Sequence, residues 1–78
     1  MIEIVMRTVR EQFPERFGPG DTVTRAMRLA EDLGADELDA LELGMVLEDE
    51  LGLGLELEAV ARWRTVGDAI DACLAQLG

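Results

Sequence analysis

The chain has 78 residues, 49% of them hydrophobic, and its 17 Asp and Glu outnumber 7 Arg to leave a net charge of −10. A chain this short buries only about 60–65% of the surface exposed when unfolded, so one modest core is expected, in a single domain over residues 1–78, with no enclosed site between domains. The negative surface repels phosphate backbones, which disfavours nucleic acid as a partner and favours basic protein surfaces.

The missing residue types narrow the chemistry further. His, Lys, Tyr, Asn and Ser are all absent. Without His, Ser or Lys the common nucleophile–base pairs and His-containing metal sites cannot be assembled, so no catalytic residue and no metal ligand is assigned. The Asp-x-Asp-x-Asp-Gly pattern of a calcium loop is also absent. One cysteine, Cys73, allows no internal disulfide, in keeping with a reducing cytoplasm. No apolar run approaches membrane-spanning length, and the N-terminus lacks the basic-then-apolar layout of a secretion signal. A cytoplasmic, monomeric, non-enzymatic protein is expected.

In chain order, Ile2, Val5, Met6, Val9 and Phe13 recur at three- and four-residue steps and predict an amphipathic helix that Pro14 ends. Gly18-Pro19-Gly20-Asp21 is a loop signal. Residues 21–35 hold Val23, Met27, Leu29 and Leu33 without a sustained stripe and read as a long loop with a helical turn. Asp36 is a good N-cap for a second helix, and Asp39, three residues on, can reach back to the helix start. Leu38, Leu41, Leu43, Met45, Val46 and Leu47 carry that helix to Leu51, and Gly52 and Gly54 stop it. Leu55, Leu57, Val60, Ala61 and Trp63 predict a short third helix. Thr65 caps a fourth, in which Val66, Ala69, Ile70, Cys73, Leu74 and Leu77 repeat at helical spacing before Gly78. The sum is an all-α bundle of three main helices and one short one, with a long first loop and no strands.

Charge is unevenly spread. Between Arg28 and Arg62 there is no basic residue, while residues 31–58 carry eleven acidic ones. Opposite charges four apart normally stabilise an exposed helix, and this stretch offers none. An acidic docking surface is the reading that follows, and weak divalent-cation binding would relieve its repulsion.

The segment Asp32-Leu33-Gly34-Ala35-Asp36-Glu37-Leu38-Asp39, with Glu42-Leu43, Met45, Leu47-Glu48-Asp49-Glu50-Leu51-Gly52 and Thr65-Val66-Gly67-Asp68-Ala69-Ile70, resembles the acyl carrier proteins of fatty-acid and polyketide synthesis. The resemblance runs through nearly the whole chain. It implies a four-helix carrier fold whose 4′-phosphopantetheine arm is attached to a Ser in an Asp-Ser-Leu motif at the start of the second helix. There the free N–H groups and the helix dipole suit a phosphodiester. In this sequence the motif reads Asp36-Glu37-Leu38. A carboxylate cannot form the phosphodiester that a hydroxyl forms, and Thr22, Thr24 and Thr65 lie outside the motif, so no cofactor is expected on the chain as written.

Three readings of Glu37 stay open: a favourable first-turn acid, a fixed charge in place of a phosphate, or the replacement of a native Ser in a true carrier. The resemblance further implies that Asp36, Asp39, Glu42, Glu48 and Asp49, flanked by Leu38 and Met45, face basic patches on synthases and acyl transferases. Leu38 and Met45 have core packing as their alternative. Gly44 stands where relatives carry a branched apolar residue, which leaves a bare spot beside the site. The resemblance makes Leu43, Val46, Leu47, Val60, Trp63, Val66 and Ile70 the candidate lining of an acyl cavity, with simple core as the alternative. Trp63 is larger than the aliphatic residue usual at its place and would fill part of that cavity.

Overall fold

Helix α1 spans Ile2–Gln12 and turns Val5, Thr8 and Val9 inward. The Thr8 hydroxyl donates to the Ile4 carbonyl at 2.7 Å, which satisfies a polar group that is 1% exposed. Pro14 ends α1 as its fixed φ requires and opens a single 3-10 turn, Pro14–Arg16, that the sequence pattern did not indicate. Helix α2 is Glu37–Leu51, α3 is Leu57–Ala61 and α4 is Val66–Leu77. The computed structural model describes residues 1–77, so the reading of Gly78 as the end of α4 lies outside the described residues. Leu55 and Trp63, placed by the sequence pattern with the third helix, flank α3.

Helices α1, α2 and α4 enclose one core. Val5 and Val9 of α1, Leu43 and Leu47 of α2, and Val66, Ala69, Ile70 and Cys73 of α4 are fully buried. Val60 comes from α3, and Leu29 and Leu33 come from the long loop. Full burial of each Leu, Ile or Val side chain contributes about 1.5–3 kcal/mol, so the core alone selects which face of each helix turns inward. Burial also raises the Cys73 thiol above its ordinary pKa, and the side chain packs as a small apolar residue.

Gly52, at φ 65°, ends α2 in the left-handed conformation that glycine adopts without strain, and its N–H donates to the Glu48 carbonyl. Gly44 is buried and does not leave a surface gap. A Cβ there would stand 3.0 Å from both methyl carbons of Val60, so its lack of a side chain lets α3 lie directly on α2. The bare spot expected beside the site is therefore a helix–helix contact in the interior.

The long loop is tied down by backbone hydrogen bonds. Leu29 N–H donates to Arg64 O at 2.8 Å, Val66 N–H to Met27 O at 2.9 Å, and Gly67 N–H to Arg25 O at 2.9 Å. Arg28 and Thr65 form an isolated antiparallel bridge, and no strand occurs among the described residues. At the other end of the loop, the Arg10 guanidinium donates to the carbonyls of Gly18 and Asp21 and lies over the Phe17 ring.

Candidate functional site

The start of α2 is built by the turn before it. Gly34, at φ 69°, reverses the chain, and Ala35 N–H donates to Leu29 O at 2.8 Å. Glycine suits that position because of its backbone conformation; a side chain there would meet only the exposed, movable end of Arg16. The chain then enters α2 through a full capping box. Asp39 N–H donates to the Asp36 carboxylate at 2.8 Å, and Asp36 N–H donates to the Asp39 carboxylate at 3.1 Å. Glu37 is the first residue of the helix and is exposed, next to the free N–H groups of the first turn.

Glu37 borders an open cleft of about 810 Å3. Leu29, Ala35, Ala40, Ala61 and Trp63 supply its apolar surface, and Arg28, Glu31, Asp36, Glu37, Arg64 and Thr65 its polar surface. The loop-to-α4 hydrogen bonds hold its walls together. The wall at the head of α4 carries a second capping box: the Asp68 carboxylate accepts from Arg64 N–H at 2.8 Å and Thr65 N–H at 3.1 Å, while Thr65 Oγ1 accepts from Asp68 N–H at 3.2 Å. These bonds, led by the one from Arg64, hold the Asp68 carboxyl below its ordinary pKa. In the loop beside it, the Arg28 side chain does the same for Asp32, which also accepts from the Arg28 N–H at 2.8 Å. Thr65 carries the cleft's one lining hydroxyl.

The residues expected to meet a partner fall into two groups. Leu38, Glu42, Met45 and Asp49 lie at steps of four, three and four residues, which places them in one stripe along α2. All four are exposed, with Leu38 at 62% and Met45 at 59%. Core packing is thereby excluded for Leu38 and Met45. Leu57 of α3, read from the sequence as part of an apolar helix face, is 64% exposed and adds a third uncovered apolar side chain.

Asp36, Asp39 and Glu48 are occupied within the chain. The first two form the α2 cap, and the Glu48 carboxylate is half-buried and accepts from Leu55 N–H at 2.9 Å. Glu48 therefore holds the α2–α3 turn in place, which its acidic character alone did not reveal. Of the acidic residues between Arg28 and Arg62, Glu31, Asp32 and Glu50 have ion-pair partners among the described residues.

The expected cavity lining also divides. Leu43, Leu47, Val60, Val66 and Ile70 are closely buried core, and Val46 is half-buried and outside the core cluster. Only Trp63 of that set lines the cleft beside Glu37.

A family model described as the phosphopantetheine attachment site matches residues 7–73. The chain belongs to the acyl carrier protein family. Proteins of this family are carriers rather than catalysts, and they work with synthase and transferase enzymes. Among solved structures, the fold is similar to that of a Mycobacterium tuberculosis protein assigned as an acyl carrier protein. That match has a TM-score of 0.82 and 24% sequence identity, and covers 95% of each chain. The helical fold is thus that of an acyl carrier protein. No helix among the described residues is long and apolar enough to cross a membrane.

Proposed function

We propose that this acyl carrier domain acts as a docking module that engages carrier-recognising enzymes without carrying cargo covalently. The observation that carries the reading is the residue at the head of α2. Glu37 follows the Asp36 cap where the family's Asp-Ser-Leu motif has its Ser, and the chain contains no Ser at all. The residues present do not fit a phosphopantetheine ester: a carboxylate replaces the hydroxyl, and the cleft's own hydroxyl, Thr65, sits in the α4 cap instead. The exposed stripe of Leu38, Glu42, Met45 and Asp49 supports docking, because its charges steer a basic partner and its apolar side chains supply contact area. The uniformly acidic stretch around it favours synthases and acyl transferases with Arg- and Lys-rich patches.

A second reading is supported by the family model itself, which describes an attachment site: a carrier whose native Ser has been replaced by Glu37. One experiment addresses both. The protein and its Glu37→Ser variant are incubated with coenzyme A and a broad-specificity phosphopantetheinyl transferase, and intact masses are read. Modification of the Ser variant alone is the expected result, leaving Glu37 as the single block. Modification of the Glu37 form would overturn the assignment and direct mapping to Thr22, Thr24 and Thr65. If neither form is modified, transferase recognition has diverged as well, which favours the docking module over the replaced-Ser reading.

A further inference from the structure

The chain has five sulfur atoms, in Met1, Met6, Met27, Met45 and Cys73. Four of them are shielded. Met1, Met6 and Met27 are half-buried and pack against the core cluster. Cys73 is fully buried, and burial holds its thiol above the ordinary pKa, so little of the reactive thiolate forms. Met45 differs from all of these: it is 59% exposed and lies outside the core cluster. It also stands inside the exposed stripe of α2, between Glu42 and Asp49 and two turns after Leu38.

We infer that Met45 is a site of reversible oxidation, at which hydrogen peroxide converts the most exposed sulfur among the described residues into a sulfoxide and thereby weakens docking on α2. One oxygen passes from the peroxide to Met45 Sδ: the O–O bond breaks, an S–O bond forms, the sulfur gives up two electrons that the peroxide takes, and water leaves. The oxidant is neutral, so the acidic stretch around Met45 does not repel it. An apolar thioether becomes a polar, chiral group, which is costly to desolvate against the apolar surface of a partner. The fold is spared that cost, because Met45 is no part of the core cluster. The selectivity follows from exposure alone, whereas the loss of docking rests on the docking role proposed for α2.

The test treats the intact protein with hydrogen peroxide and locates the added oxygen by peptide mass mapping. Met45 should be oxidised before Met1, Met6 and Met27, and Tm should fall by less than about 4 °C, as for a change at the surface. Oxidation of the other methionines at the same rate, or unfolding when Met45 alone is oxidised, would overturn the assignment of the site. Docking is read as the Kd for a broad-specificity phosphopantetheinyl transferase, by isothermal titration calorimetry. Oxidation should raise Kd about tenfold, the size expected when one apolar side chain no longer buries against a partner. Methionine sulfoxide reductases, one for each epimer, should restore it. In Met45→Leu, whatever Kd it starts from, peroxide should leave Kd where it was. An unchanged Kd after oxidation of Met45 would overturn the effect on docking and leave the docking role standing. An equal rise in Met45→Leu would also overturn it, since the sensitive group would then lie elsewhere. A transferase that fails to bind the untreated protein would overturn the docking role itself and the effect that rests on it, and the mass map would still decide the oxidation site.

Discussion

Replacing Gly44 by alanine sets two effects of similar size against each other. Alanine is better than glycine in the interior of α2 by about 1 kcal/mol. The added Cβ, however, would lie 3.0 Å from both Val60 methyl carbons, and unstrained carbon contacts sit at about 3.5–4.0 Å. Val60 is 2% exposed and β-branched, so it cannot turn aside without displacing the core. Overpacking of this kind costs about 1–3 kcal/mol. The net expectation is destabilisation by about 1 kcal/mol, which lowers Tm by about 4–8 °C in a domain of this size. Val60→Ala alone should cost about 2 kcal/mol through lost burial and a residual void. With the methyls gone, Gly44→Ala should recover its helix benefit and raise stability by about 1 kcal/mol. The double-mutant cycle would then show a coupling of about 2 kcal/mol, measured by urea denaturation of the four proteins. A Gly44→Ala variant that is stabilised in the wild-type background, with coupling below about 0.5 kcal/mol, would refute the claim that α3 is seated on that glycine.

Two further outcomes are expected. Asp36→Ala removes one half of the α2 capping box and should cost about 0.5–2 kcal/mol while Glu37→Ser costs less, since Glu37 makes no capping bond; thermal melts of the two variants would show the order, and a reversal would place the helix start elsewhere. Asp68→Ala should cost about 1 kcal/mol at neutral pH. Because the Asp68 pKa is lowered on folding, its stabilisation is fully present above the ordinary value of 3.8 and is lost as pH falls through the lowered one. The stability gap between wild type and variant, followed by urea denaturation from pH 7 downward, should therefore stay constant to about pH 4 and then close; a gap independent of pH would mean that the carboxylate is not the cap.

The helices were legible because their signals are local. Pro14, the Asp36 and Asp39 pair, Gly52 and Thr65 each act within one turn of where they stand, and the structure places helix boundaries at all of them. Leu38 and Met45 were harder. Helix α2 carries apolar residues around much of its circumference, so periodicity could not decide which would be left outside. Val46, which the resemblance makes a cavity candidate, is half-buried and outside the core cluster. Gly44 was misread because its contact with Val60 spans sixteen residues of sequence and has no local trace. Leu29 and Leu33 show no stripe because the loop that buries them is ordered by Arg64, Val66 and Thr65 from the far end of the chain. The cleft beside Glu37 was not visible for that reason: its walls meet only after folding. The reciprocal role of Asp68 did have a signal, the Thr65-x-x-Asp68 spacing, which matches that of Asp36 and Asp39.

The hydrogen bonds from Val66 and Gly67 to the carbonyls of Met27 and Arg25 carry a consequence for the order of assembly. The first N–H groups of any helix have no partner within it, and here the long loop provides them. Helix α4 thus lacks a complete start until a segment some forty residues earlier has come to rest, and that segment has little structure of its own to rest in. Each supplies what the other is missing. The two walls beside Glu37 are therefore tied to each other, and loosening either one takes hydrogen-bond partners from the other.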